Sequence, residues 1–201
     1  MPSKKKVKLP LSEGYIVADP MKCAGCIACM LACSLVHEGV TNPSLSRIQV
    51  VQSSFRPFPE DIYIQLCHHC ANPLCAKACP TGALHIDTAH GNLRLIDEST
   101  CDGCRQCVEA CPFKPTRIIW NPDKGVCVKC DLCLHAPYWD EQGGPEGKQA
   151  CVEVCPMRAL AFTTKVPSQK GEEGYLVNLR NKHWEWLGFM TSQMGAPERQ
   201  K

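Results

Sequence analysis

The chemistry of this chain lies in its cysteines, 17 of them in 201 residues, and in how they are spaced. The first group, Cys23-Ala-Gly-Cys26-Ile-Ala-Cys29-Met-Leu-Ala-Cys33, is a C-x2-C-x2-C-x3-C run. The second is Cys67-His-His-Cys70, with Cys75 four residues on and then Cys79-Pro80. The third, Cys101-Asp-Gly-Cys104-Arg-Gln-Cys107-Val-Glu-Ala-Cys111-Pro112, repeats the first spacing with a proline added. The fourth is split into Cys127-Val-Lys-Cys130 and, well downstream, Cys151-Val-Glu-Val-Cys155-Pro156. Thiolates spaced this way on a tight loop can face three corners of one iron–sulfur cube. The last cysteine of each run begins a helix that points away and reaches a second cube. A lone C-x2-C could serve a zinc ion. Four repeats, three closing in Cys-Pro, point to [4Fe–4S] ligation, with a structural zinc protein as the alternative.

Around the cysteine loops the chain is expected to fold into short elements. Helices should follow the loops over Ile27–His37 and Arg105–Ala110. Ala83–Ile86 and Leu93–Ile96 flank a His90-Gly91-Asn92 turn and read as a hairpin. Thr116–Trp120, followed by the Asn121–Gly125 turn, repeats that pattern. Arg47–Val51 and Asp61–Leu66 form a third candidate pair, joined at the Pro57-Phe58-Pro59 corner. The class is α+β and loop-rich, with clusters in place of much of a core.

Composition agrees with that. Aromatics are only 6% of the chain, and 14 Gly and 16 Pro leave a thin apolar interior. Small proteins of this kind rely on disulfides or metal. The Lys-rich start holds no export signal or twin-Arg pair, and no apolar run is long enough to span a bilayer. A cytoplasmic location with reduced, metal-binding thiols is therefore expected. The formal charge is +2 with thiols counted as neutral. Sixteen thiolates against four cores of about +2 each would bring the loaded protein to about −6. The scattered Lys and Arg then read as counter-charge, and no nucleic-acid partner is implied.

Four motifs in this order, with Cys79-Pro-Thr-Gly-Ala83 and the split fourth motif, resemble the iron–sulfur subunits of the dimethylsulfoxide reductase and formate dehydrogenase type. The resemblance covers roughly residues 15–165 and implies two bacterial-ferredoxin-like modules around four [4Fe–4S] clusters. In that family the second and third motifs pair inside, and the first and fourth enclose them. The clusters so implied are Cys23, Cys26 and Cys29 with Cys155; Cys33 with Cys127, Cys130 and Cys151; Cys67, Cys70 and Cys75 with Cys111; and Cys79 with Cys101, Cys104 and Cys107. Residues 1–60 would begin the outer module, 61–124 form the inner one, and 125–165 complete the outer one with a loop inserted at 134–150. Residues 166–201 would be a partner-contacting tail. Cys133 is left as a spare thiol or as a substitute for Cys151.

More narrowly, Cys33-Ser-Leu-Val-His-Glu-Gly39 and Asn42-Pro-Ser-Leu-Ser-Arg-Ile48 are similar to subunits that accompany tungsten aldehyde oxidoreductase-type enzymes. The resemblance implies an electron-transfer subunit with no active site of its own. Its expected partner is a larger tungsten- or molybdenum-pterin subunit, with further copies or a flavin- or NAD-linked subunit beside it. A hydrogenase or carbon monoxide dehydrogenase complex is the alternative. His68 and His69 sit inside the second motif, where hydrogen bonding near a cluster or plain exposure is expected rather than ligation. Lys4-Lys5-Lys6 reads as a solvated start, and Trp184, Trp186, Leu187, Phe189 and Met190 as a lid or docking segment.

Overall fold

Cysteine loops this closely spaced leave no room for long ladders, and the described residues form four two-stranded antiparallel pairs. The structure, a computed structural model, describes residues 9–57 and 60–165. The Lys4–Lys6 run, part of the Pro57–Pro59 corner and the whole tail with its Trp-rich segment lie outside the described residues.

In chain order the elements are β1 (Tyr15–Ala18), α1 (Ala28–Glu38), β2 (Gln49–Gln52), β3 (Ile62–Gln65), α2 (Leu74–Lys77), β4 (Leu84–Asp87), β5 (Leu93–Ile96), α3 (Gln106–Ala110), β6 (Ile119–Asn121), β7 (Val126–Val128), α4 (Ala150–Glu153) and β8 (Leu160–Thr163). A 3-10 turn at Pro43–Leu45 is capped by Asn42, whose side chain accepts the Ser44 N–H. Turn chemistry sets the hairpins. Asp87 Oδ1 accepts the N–H groups of Ala89 and His90, and Gly91 and Asn92 turn left-handed, which pairs Leu84 with Ile96. Asn121 Oδ1 accepts from Asp123 and Lys124, and Gly125 turns the chain so that Ile119 faces Val128. The expected strand at Thr116–Trp120 is shorter and begins at Ile119.

One pairing was not anticipated from the sequence. β1 lies against β8, with Tyr15 opposite Thr163 and Ala18 opposite Leu160. This closes the described chain on itself, and α1 packs on α4 beside it. α2 packs on α3 in the same way. The apolar interior is shared with sulfur. Ile16, Met30, Leu66, Leu132 and Leu160 form one group with Cys29, Cys33 and Cys151, and Leu84 and Ile118 form another with Cys107 and Cys127. Among the described residues no helix is long and apolar enough to cross a membrane.

A buried ionic network ties these parts together. Arg47 follows the 3-10 turn and is almost wholly buried. Its Nη1 donates to Asp131 Oδ2 at 2.9 Å, and its Nη2 lies 3.2 Å from Glu98 Oε1. Asp131 Oδ1 meets His37 Nε2 at 2.9 Å. Lys124 Nζ bridges Glu38 and Glu98 at 2.8 and 3.1 Å. Residues from α1, the segment after β5, the β6–β7 turn and the loop after Cys130 are thus fixed relative to one another. Removing one partner of a buried pair leaves the other charged and unsolvated. Arg47→Met is expected to destabilise the anaerobic loaded protein by about 3–5 kcal/mol in denaturant unfolding. An unchanged midpoint would contradict this role.

Candidate metal centre

The loops that carry the cysteines share one backbone feature. In the opening C-x2-C of the first three motifs and in Cys130-Asp-Leu-Cys133, the residue before the second cysteine is left-handed: Gly25 (φ 66°), His69 (φ 41°), Gly103 (φ 71°) and Leu132 (φ 59°). Gly103 has no substitute, because a Cβ there would sit 2.5 Å from the Gly125 carbonyl oxygen. The fourth of these turns lies between Cys130 and Cys133. Lys129, the residue before Cys130, is not among the left-handed residues described. The backbone of the first three loops therefore recurs at Cys130-Asp-Leu-Cys133 and not at Cys127-Val-Lys-Cys130.

The side chains follow the backbone. Cys23, Cys26, Cys29 and Cys155 frame one cavity, closed by Ile27, Val50, Ile64 and Leu160. Cys67, Cys70, Cys75 and Cys111 frame a second. Cys33, Cys130, Cys133 and Cys151 frame a third, with Ile16, Ile48, Leu66 and Leu132 around it. Cys79, Cys101 and Cys107 pack in one group, which also takes in Cys127 and Cys75, and Cys104 lies on the loop between Cys101 and Cys107. In every set the last cysteine of one motif joins the others from a partner motif. Those four, Cys33, Cys79, Cys111 and Cys155, also accept backbone N–H groups, from Arg47, Leu84, Arg117 and Ala159 at 3.2–3.4 Å.

Cys127 stands apart from the group in which the resemblance places it. The resemblance groups it with Cys33, Cys130 and Cys151, but it does not line that cavity. It is buried on β7, within hydrogen-bond reach of Cys107, and packs with Leu84 and Ile118. Cys133, expected to be spare or to replace Cys151, stands in the place assigned to Cys127. In the overlapping run Cys127-x2-Cys130-x2-Cys133 both readings have the same spacing. The overlooked signal was the Asn121–Gly125 turn, because the strand that returns from it uses up Val126–Val128 and carries Cys127 off the loop.

The electrostatics fit a multi-iron core. Burial pushes the Cys29 thiol up to about 12, helped by Cys23, Cys155 and Cys26. Burial and the neighbouring Cys67 and Cys75 push Cys70 up to about 12, and burial and Cys67 push Cys75 up to about 11. Such groups can be thiolates together only with a cationic centre between them, and binding it releases their protons. Among the described residues no three His, Cys, Asp or Glu close on a single metal-ion point. The cysteines surround volumes instead, whereas zinc needs four sulfurs about 2.3 Å from one point. Beside the third cavity, burial alone would raise Asp131, but Arg47 and His37 hold its carboxyl far below the usual carboxylate range. Burial would lower His37, yet its bonds to Asp131 and Cys33 push it up to about 9. Asp131 also accepts the N–H groups of Cys133 and His135, and so shapes that loop. A larger polar cavity of about 500 Å3, lined by His37, Arg47, Glu98, Lys124 and His135, holds no cysteine.

Comparison with known proteins gives the family. The family model for a 4Fe-4S dicluster domain matches residues 60–165. This protein belongs to that family. It is 39% identical over 141 residues to the polyferredoxin-like subunit of the aliphatic sulfonate oxidoreductase of Pyrococcus furiosus, covering 70% of each protein. It is 34% identical over 158 residues to the thiosulfate reductase electron transfer subunit of Salmonella typhi, covering 76% of this chain and 77% of the relative. With a subunit of the anaerobic dimethyl sulfoxide reductase of Escherichia coli it shares 33% over 182 residues, covering 85% of this chain and 77% of the relative. Two of these relatives are named as electron-transfer or polyferredoxin-like subunits of oxidoreductases.

The loop geometry separates the two neighbouring thiols. Cys133→Ser should lower iron by about four atoms per chain, the content of one cubane. Cys127→Ser should leave iron and the reduced-state magnetic spectrum as they are. The reverse outcome would restore the Cys127 assignment.

Proposed function

We propose that the chain holds four [4Fe–4S] clusters and relays single electrons between a larger catalytic oxidoreductase subunit and a redox partner. The observation that carries this is the pooling of cysteines across motifs. The proposed ligand sets are Cys23, Cys26, Cys29 and Cys155; Cys67, Cys70, Cys75 and Cys111; Cys79, Cys101, Cys104 and Cys107; and Cys33, Cys130, Cys133 and Cys151. A cubane held by four thiolates supplies one-electron exchange, tuned by burial and by hydrogen bonds to sulfur.

The chain's own part is to hold the sites in series and set what surrounds each. The β1–β8 pair and the α1–α4 contact support an outer module made from 1–60 and 125–165 around an inner one at 61–124. Cys26 and Cys104 are the exposed members of their sets, so the first and third loops are the natural points of electron entry and exit. For the catalytic partner, the relatives named as subunits of dimethyl sulfoxide, thiosulfate and aliphatic sulfonate enzymes support a molybdenum- or tungsten-pterin type. The tungsten aldehyde oxidoreductase type is the narrower form of this reading, supported by the Cys33–Gly39 and Asn42–Ile48 segments.

Anaerobic reconstitution is expected to give about sixteen iron and sixteen acid-labile sulfide per chain, and full reduction to take up about four electrons. A fully loaded preparation holding half of each would reduce the relay to two clusters and overturn the proposal.

A further inference from the structure

His69 sits inside the second cysteine loop with one ring nitrogen accounted for and the other not. Its side chain is 1% exposed. Its Nδ1 faces the backbone N of Arg94 at 3.3 Å. A backbone N–H can only donate, so Nδ1 accepts, the imidazole is neutral and its proton is on Nε2. That Nε2–H is buried and has no hydrogen-bond partner among the described residues. Folded proteins rarely leave a buried donor without an acceptor.

The ring is held firmly in this orientation. His69 occupies the left-handed region at φ 41°, which only a well-determined surrounding maintains. Arg94, on β5, clamps the loop twice: its backbone N–H meets His69, and its Nε donates to the Cys70 carbonyl at 2.8 Å. His69 lines the cavity framed by Cys67, Cys70, Cys75 and Cys111, whose other walls include Pro73, Leu74 and Ile118. Its neighbour His68 is placed differently, edge-on to Phe113 with ring centroids 4.2 Å apart.

We propose that His69 Nε2–H donates a hydrogen bond to a sulfur of the cluster held by Cys67, Cys70, Cys75 and Cys111, and raises that cluster's reduction potential. The inference rests on the four-cluster reading. Taking up one electron adds negative charge to the core. A fixed donor stabilises the reduced state more than the oxidised one, and a hydrogen bond to a charged acceptor is among the stronger kinds. His69 is then a tuning residue that sets the rank of this cluster along the relay.

The test is a magnetic-resonance-monitored redox titration of anaerobic loaded protein, preceded by iron and sulfide counts. In His69→Leu one midpoint potential should fall and the others stay, with a roughly tenfold change in the reduction equilibrium, about 59 mV for one electron. His69→Gln, which keeps an N–H donor of similar reach, should recover much of the loss. Wild-type protein carrying 15N-histidine should show a nitrogen coupling on one reduced cluster, and this measurement stands even if the leucine variant fails to load. Unchanged potentials in fully loaded His69→Leu, no histidine coupling, or a coupling that persists in 15N-histidine-labelled His69→Gln would each overturn the proposal. Fewer than four clusters in the wild type would instead overturn the reading beneath it.

Discussion

Several buried thiolates cannot share one small cavity unless positive charge sits among them. Burial and mutual repulsion already push Cys29 and Cys70 to about 12, so the naked sites favour neutral thiols and resist the convergence that the chain imposes. Iron reverses that balance, because ligation removes the protons and couples metal binding to folding. Much else in the structure accommodates this requirement. Strands of three or four residues suffice, since their task is to return the chain to another cysteine loop rather than to build a sheet. Cys29, Cys33, Cys107 and Cys151 occupy positions in the apolar groups where aliphatic side chains would otherwise stand.

A second consequence is that the motifs cannot act alone. Cys155 completes the set begun by Cys23, and Cys33 completes the set begun by Cys130, so each outer site exists only when the two ends of the described chain meet. β1 on β8 and α1 on α4 bring them together. The Arg47–Asp131–His37 network locks the same junction from the other side, and Asp131 spends both carboxylate oxygens on the loop of Cys133 as well as on the ions. Charge that would be a liability in an ordinary small core has a use here, because it fixes loops that carry little apolar surface of their own.

Much of this was legible in the cysteines. Their spacing led to the 4Fe-4S family and to the helices that follow the loops, and the helices fell within a residue of Ile27–His37 and Arg105–Ala110. Turn residues placed the hairpins, because Asp87, Asn92, Asn121 and Gly125 act locally. What stayed hidden was non-local. Tyr15–Ala18 and Leu160–Thr163 are too short to announce themselves as strands, and nothing in their composition pairs them with each other. Arg47 and Asp131 look like surface charges until the fold buries both. The position of Cys127 was hidden for a different reason, since residue type alone does not distinguish Lys129 from Leu132 as the left-handed residue. Only the backbone shows which pair of cysteines shares the loop geometry.

The most direct measurement is the anomalous scattering of iron from crystals of anaerobically purified protein. The account expects four separate cubane-sized peaks, with Cys133 and not Cys127 bonded to iron beside Cys33, Cys130 and Cys151. Two peaks, single-atom peaks at the cysteine loops, or Cys127 bonded to iron in that set would contradict it.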